Sequence, residues 1–341
     1  MKRVLLSIIL VLALTNLLFA GVIKKSKSTV RFKGFGAYTT LQTEKITTDK
    51  KRTDSKNDFK GEGIVGGLAA KVFLRSGETG DIIDLPEMVT YQLDHKKKEY
   101  RKSELEKWSE DLLGDSDEDV DDAKTEEDER DSDIRITKSE FKVERSGESK
   151  TINGFPCKKY VVTSITEWEN MKTGDKGNQR LLTDVWTTTL SGEIQVAHEQ
   201  EMQFSRNYME KIGLDVDLLQ QSILGKNWFS IFRGLNPGQE SPRTDESQIA
   251  DEIKKIEGYP VVVDGKYYVQ TSGDKAEQKE QQDITDVKDM FGRFAKKAVK
   301  KEKKDEDEPN FSYYTELLEM STTSVDANEF QPPAKYKFKK N

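Results

Sequence analysis

The sequence predicts a mainly β fold of the α+β class, a half-open antiparallel β-barrel or curved sheet with covering helices. Three observations carry that expectation. Apolar residues alternate along several short segments, as they do on strands with one buried face. Turn-forming residues punctuate those segments at hairpin spacing. Only two segments place apolar residues at helical spacing.

The strands come first. Val89, Tyr91 and Leu93 share one face of a segment ending at Asp94, and the polar turn His95-Lys96-Lys97-Lys98 returns the chain through Tyr100. Asn153-Gly154-Phe155-Pro156 leads into Lys158 to Trp168, where Tyr160 and Val162 fall on one side. The loop Thr173 to Gly177 connects it to Leu181 to Leu190, which contains Trp186. Tyr259 to Val263 then meets Asp264-Gly265 and continues as Lys266-Tyr267-Tyr268-Val269. Asp-Gly between two β-rich runs predicts a hairpin at that point.

Two helices are predicted. Tyr208, Met209, Ile212, Val216, Leu219 and Ile223 recur at helical spacing, interrupted by Gly213. Val287, Met290, Phe291, Phe294, Ala295 and Ala298 make a second apolar stripe, whose remaining face is basic and runs on through Lys296, Lys297, Lys300 and Lys301. Such a stripe either covers the open side of a sheet or lies on a membrane surface.

Charge is unevenly spread. The chain carries a net −7, yet the segment Glu110 to Asp133 alone holds 14 acids and 2 bases. Like charges at that density repel and bury nothing, so a solvated insertion is expected there. A second charged insertion, about 272–309, contains the short amphipathic helix. Asp115, Asp117, Asp119, Asp121 and Glu126 match the acidic positions of a calcium loop, but Val120 stands where its turn glycine belongs. No metal site and no cofactor is therefore expected.

Met1-Lys2-Arg3 followed by an apolar run to Phe19 and then Ala20-Gly21 predicts a secretory signal peptide over 1–20. A single β domain is expected over 21–341, periplasmic or extracellular, with no transmembrane segment in the mature chain. The single cysteine, Cys157, leaves no internal disulfide.

Chemistry is sparse. The chain has two histidines. His95 sits in a lysine-rich turn, where a solvated side chain is expected. His198-Glu199 begins like a zincin motif, but Met202 occupies the position of the second metal-binding histidine. Nucleophile-elbow, Walker and dinucleotide-binding patterns are absent, so no enzyme is predicted. Nucleic acid is not an expected partner, because the lysines cluster without interleaved exposed aromatics.

Several blocks recur in a familiar order: Val89-Thr90-Tyr91-Gln92-Leu93-Asp94, Asn153 to Tyr160, Asp184-Val185-Trp186, Gly258-Tyr259-Pro260-Val261, and Ser324 to Phe330 ahead of Pro332-Pro333-Ala334-Lys335-Tyr336. In these the chain resembles an uncharacterised family of exported bacterial proteins with the architecture of the lipoprotein carriers LolA and LolB. The resemblance implies a half-open β-barrel with helices plugging its mouth. It brings no catalytic or ligand residues.

The function expected from these features is a non-catalytic exported binding protein holding an apolar ligand, a lipid or a lipoprotein acyl chain, in a concave sheet. Tyr91, Leu93, Tyr160, Val162, Trp186 and Tyr268, with Val89 and Val262, would line that sheet, under Phe291 and Phe294 as the lid. The alternative is a structural or interaction module of the cell envelope with a filled core, meeting an envelope protein partner through its acidic surface.

Overall fold

The computed structural model describes residues 20–62, 77–107, 134–214, 246–271 and 308–340. Mainly β, it is built on one curved, unclosed sheet of 12 strands with few helices. The strands are β1 (Ala20–Phe32), β2 (Gly36–Ile46), β3 (Lys50–Gly61), β4 (Gly77–Asp84), β5 (Val89–Asp94) and β6 (Glu99–Glu104). Then follow β7 (Ile134–Ile152), β8 (Phe155–Asn170), β9 (Lys176–Thr188), β10 (Tyr259–Thr271), β11 (Phe311–Ser324) and β12 (Lys337–Phe338).

Their spatial order is β12-β6-β5-β4-β3-β2-β1-β11-β10-β9-β8-β7. Two meanders, β1 to β6 and β7 to β10, are thus joined by β11, which pairs with β1 on one side and β10 on the other. Every pairing is antiparallel except that of β12 with β6. Neighbours in sequence are neighbours in space within each meander, although the chain between β3 and β4 and between β9 and β10 is longer than a hairpin turn. Between β7 and β8 the turn is Asn153-Gly154, with φ of 50° and 86°. Two successive left-handed residues make the hairpin turn whose twist matches that of the strands.

Helix α1 (Gly192–Ile212) crosses β1, β2 and β11. It buries Ala197, Phe204 and Ile212 and ends on Gly213 at φ 81°. There the Gly213 N–H bonds the Glu210 carbonyl and the Leu214 N–H bonds the Met209 carbonyl. This is the paired-bond glycine stop of a helix, so the predicted helix through Tyr208 to Ile223 is corrected. It begins earlier, at Gly192, and Gly213 terminates it; 215–245 lie outside the described residues. A short α2 (Glu246–Ile253) packs on β7. A 3-10 turn, Ala327–Phe330, lies against β3 and β4. No helix among the described residues is long and apolar enough to cross a membrane.

The hairpin predicted at Asp264-Gly265 is not formed. β10 runs straight through it, with Gly265 paired to Tyr313 of β11 and to Thr183 of β9. A Cβ at Gly265 would fall 1.9 Å from a ring carbon of Tyr313. The glycine is there to let an aromatic ring lie across the strand, not to turn the chain. Gly177 does the same for its cross-strand partner Trp168, whose ring would meet a Cβ at 2.1 Å. Aromatic rings covering strand glycines pin register, since a one-residue slip would put the ring on the wrong face.

Candidate functional site

Where the sheet places the predicted lining residues follows from register. Directly paired residues of antiparallel strands point to the same face. Tyr160 faces with Val185, and Val185 with Val263; Val162 faces with Thr183. Trp186, one residue on, faces with Lys159 and Val262 on the opposite side. The chain of pairs from Val262 runs through Glu316, Lys27 and Leu41 to Lys56. Leu93 reaches the same face through Gly80, Asp54, Thr43 and Lys25. Tyr91 and Val89 alternate with Leu93, and Tyr268 pairs with Arg180 on the Trp186 side.

The single apolar wall expected from alternation is therefore corrected. Tyr160 and Val162 occupy one face, while Val89, Tyr91, Leu93, Trp186, Val262 and Tyr268 occupy the other. Alternation along one strand says which residues share a side of that strand. It does not say which parity meets which across a sheet, because turn and bulge geometry set the register. Phe291 and Phe294, with the rest of the predicted second helix, lie outside the described residues, as does the acidic segment with its calcium-like spacing.

These side chains are enclosed by their own chain. Tyr160 and Val162 pack with Val143, Leu181, Tyr267 and Tyr313, and Val162 is 0% exposed. Val89, Tyr91 and Leu93 pack with Ile82 beneath Phe330 of the 3-10 turn, which is 2% exposed. Trp186 is roofed by two ammonium groups, Lys150 Nζ at 4.0 Å and Lys159 Nζ at 5.7 Å from its ring centroid. Tyr268 is half-buried with Arg180 over its ring at 4.9 Å.

Two polar constellations that the sequence did not reveal hold elements onto the two faces. On the α1 face, Lys24 Nζ contacts Glu44 Oε2 and Glu201 Oε1, each at 2.7 Å, and Lys51 Nζ reaches Glu44 Oε1 at 2.5 Å. The Tyr259 hydroxyl donates to Glu201 Oε2 at 2.9 Å, and the His198 ring stands edge-on to Tyr259 at 5.8 Å. Burial alone would raise the Glu44 carboxyl, but the Lys24 and Lys51 ammonium groups overcome it and hold Glu44 down to about 2. Burial opposes the charge on Lys24, yet Tyr259, Glu201 and Glu44 together raise its pKa. Burial likewise pushes the Tyr259 hydroxyl up. Every charge here has its partner, which is what keeps buried ions tolerable. The network rivets α1 to β1, β2 and β10.

On the opposite face His95 is a correction to the solvated turn residue expected from its neighbours. Its Nε2 lies 2.9 Å from Asp54 Oδ1 and its Nδ1 2.7 Å from the Tyr336 hydroxyl. Asp54 accepts two further bonds from Arg52, from Nε at 2.8 Å and Nη2 at 3.1 Å. Arg52 Nη1 donates to the Glu329 carbonyl at 3.0 Å. A neutral imidazole satisfies all of this, with Nε2–H donating to Asp54 and the tyrosine O–H donating to Nδ1. Gly80 makes room beneath, since a Cβ there would sit 2.8 Å from both His95 Nε2 and Asp54 Oδ1. The clasp fastens the C-terminal segment over β3 to β5.

Beside it lies an open groove of about 400 Å3, lined among others by Lys25, Leu41, Asp54, Lys56, Glu78 and His95. Its charges are matched: Lys25 with Glu319 at 2.6 Å, Lys56 with Glu78 at 3.1 Å, and Asp54 with Arg52 at 2.8 Å. Cys157 is buried, and its Sγ donates to the Phe155 carbonyl at 3.2 Å.

The chain matches no protein-family model, and comparison with curated proteins and with solved structures gives no match.

Proposed function

We propose that this is a non-catalytic exported protein acting as an interaction module of the cell envelope, with an interior closed by its own side chains. One observation supports this over a lipid carrier: the residues that would have gripped an apolar ligand are split between two faces and buried against Tyr313, Phe330 and the lysine-roofed Trp186. A carrier needs an apolar hollow of several hundred Å3 to take most of a ligand's surface out of water. The groove beside His95 is open to solvent and rimmed by ion pairs instead of enclosed. Export rests on the apolar leader ahead of Ala20, where β1 begins.

The test is titration of the purified mature protein with a fluorescent hydrophobic dye, before and after extraction with organic solvent. The expected result is no saturable dye site in either sample. A saturable site of micromolar affinity that appears only after extraction would establish a lipid carrier.

A further inference from the structure

We infer that the β12–β6 edge of the sheet is a docking surface for an anionic phospholipid bilayer, an assignment independent of whether the interior takes a ligand. Residues 94–104 and 335–340 carry nine lysines and arginines against three acids. The fold brings these two stretches together. β12 adds to β6 in parallel, pairing Lys337 with Glu99 and Phe338 with Tyr100. The Lys337 N–H bonds the Lys98 carbonyl at 2.9 Å and the Lys339 N–H bonds the Tyr100 carbonyl at 2.8 Å. Lys96, Lys97 and Lys98, at the β5–β6 turn, thereby abut the stretch that carries Lys335, Lys337, Lys339 and Lys340.

Few of these charges are neutralised locally. Lys97 pairs with Asp94 at 3.1 Å and Lys339 with Glu99 at 3.6 Å. Lys96, Lys98, Arg101, Lys335, Lys337 and Lys340 are exposed and form no ion pair among the described residues. On other strands several lysines are matched, as at Lys25, Lys56 and Lys159. Others with no ion pair among the described residues, such as Lys27, Lys60 and Lys158, are scattered over three strands instead of gathered at one margin. An unneutralised basic cluster on a folded edge calls for an anionic partner.

The aromatic selects the partner's class. Phe338 is 57% exposed at the sheet's margin, flanked by Lys337 and Lys339, with Tyr100 behind it at 5.5 Å between centroids. A soluble acidic protein would leave such a ring in water or need an apolar pocket for it. A bilayer interface takes both, the ring at the acyl boundary and the ammonium groups among the headgroup phosphates.

The experiment is co-sedimentation of the chain from residue 21 onward, without the apolar leader, with vesicles of phosphatidylcholine alone or with about 30% phosphatidylglycerol, at about 50 mM and about 500 mM salt. Binding is expected only to the anionic vesicles, falling at least about tenfold at the higher salt. Lys337→Glu with Lys339→Glu should abolish it, and Phe338→Ser should weaken it without changing its salt dependence. Lys254→Glu with Lys266→Glu makes the same charge change at exposed sites elsewhere and should leave binding within about twofold. Circular dichroism melts establish that each variant is folded; if the edge double variant is not, Phe338→Ser against Lys254→Glu/Lys266→Glu carries the test.

Equal loss from both double variants would overturn the assignment, reducing it to net charge. So would absence of binding by the parent. If the parent fails but a chain lacking residues 110–133 binds, the edge is occupied by the chain's own acidic segment, and the bilayer assignment is likewise wrong.

Discussion

Gly265→Ala probes the interlock between the two meanders. Gly265 lies opposite Tyr313 in the β10–β11 pair, and an added methyl would sit 1.9 Å and 2.2 Å from two ring carbons. The Tyr313 ring is 2% exposed, stacks on Phe311 and shares a 3.1 Å hydrogen bond with the buried Thr183 hydroxyl. It has nowhere to go without forcing its neighbours. Overpacking of this kind costs about 1–3 kcal/mol, and losing the buried hydroxyl bond adds about 1 kcal/mol. Against this, alanine is better than glycine in a strand by roughly 0.5–1 kcal/mol. The net expectation is a destabilisation of about 1–3.5 kcal/mol, read from urea unfolding by far-ultraviolet circular dichroism.

A turn glycine would also resist alanine, by about 1 kcal/mol, so the single variant does not separate a strand from a hairpin. The double variant with Tyr313→Leu does. Removing the ring makes space for the methyl, so the two substitutions together should cost at least about 1 kcal/mol less than their sum. Strict additivity would refute the packing of Tyr313 on Gly265 and with it the register that joins the sheet's halves.

Two other predictions follow from the polar and cationic contacts. Glu44 titrates at about 2 in the folded chain against an ordinary 4.5. A lowered carboxylate pKa gives stability that is present above the unfolded value and lost as pH falls, so about 3 kcal/mol should disappear between about pH 4.5 and 2. Glu44→Gln should flatten this acid limb in pH-dependent melts, and an unchanged limb would contradict the Lys24–Glu44–Lys51 assignment. Trp186→Ala should cost about 3–5 kcal/mol, since the residue is 7% exposed, and Lys150→Gln about 0.5–1 kcal/mol through the lost contact with the ring. A Lys150→Gln change that leaves both stability and tryptophan emission untouched would remove the roof from Trp186.

The hairpins were legible where the chemistry is local. His95 to Lys98 does turn β5 into β6, and Tyr160 and Val162 do share a side of β8. Gly213 could be seen breaking the apolar stripe, and it ends α1. What stayed hidden is non-local. β1 and β2 place Lys24 and Glu44 at inward positions, so their pattern reads as polar; they pair with each other and with Lys51, and Glu201, distant in sequence, completes the network. Gly265 mimics a turn because a strand glycine under a ring and a turn glycine are the same letter; the ring belongs to β11. His95 looked solvated because its partners, Asp54 and Tyr336, come from β3 and the C-terminal segment. The division of the candidate lining between two faces is of the same kind, set by pairings that no single segment encodes.

The central claim is that the interior is filled by the chain itself. Native mass spectrometry of the protein, expressed from the complete sequence and purified without detergent, is the test. One species at the mass of the polypeptide alone is expected, unchanged by collisional activation or organic extraction. A stoichiometric adduct of several hundred daltons, released on activation and recovered as a lipid, would contradict it.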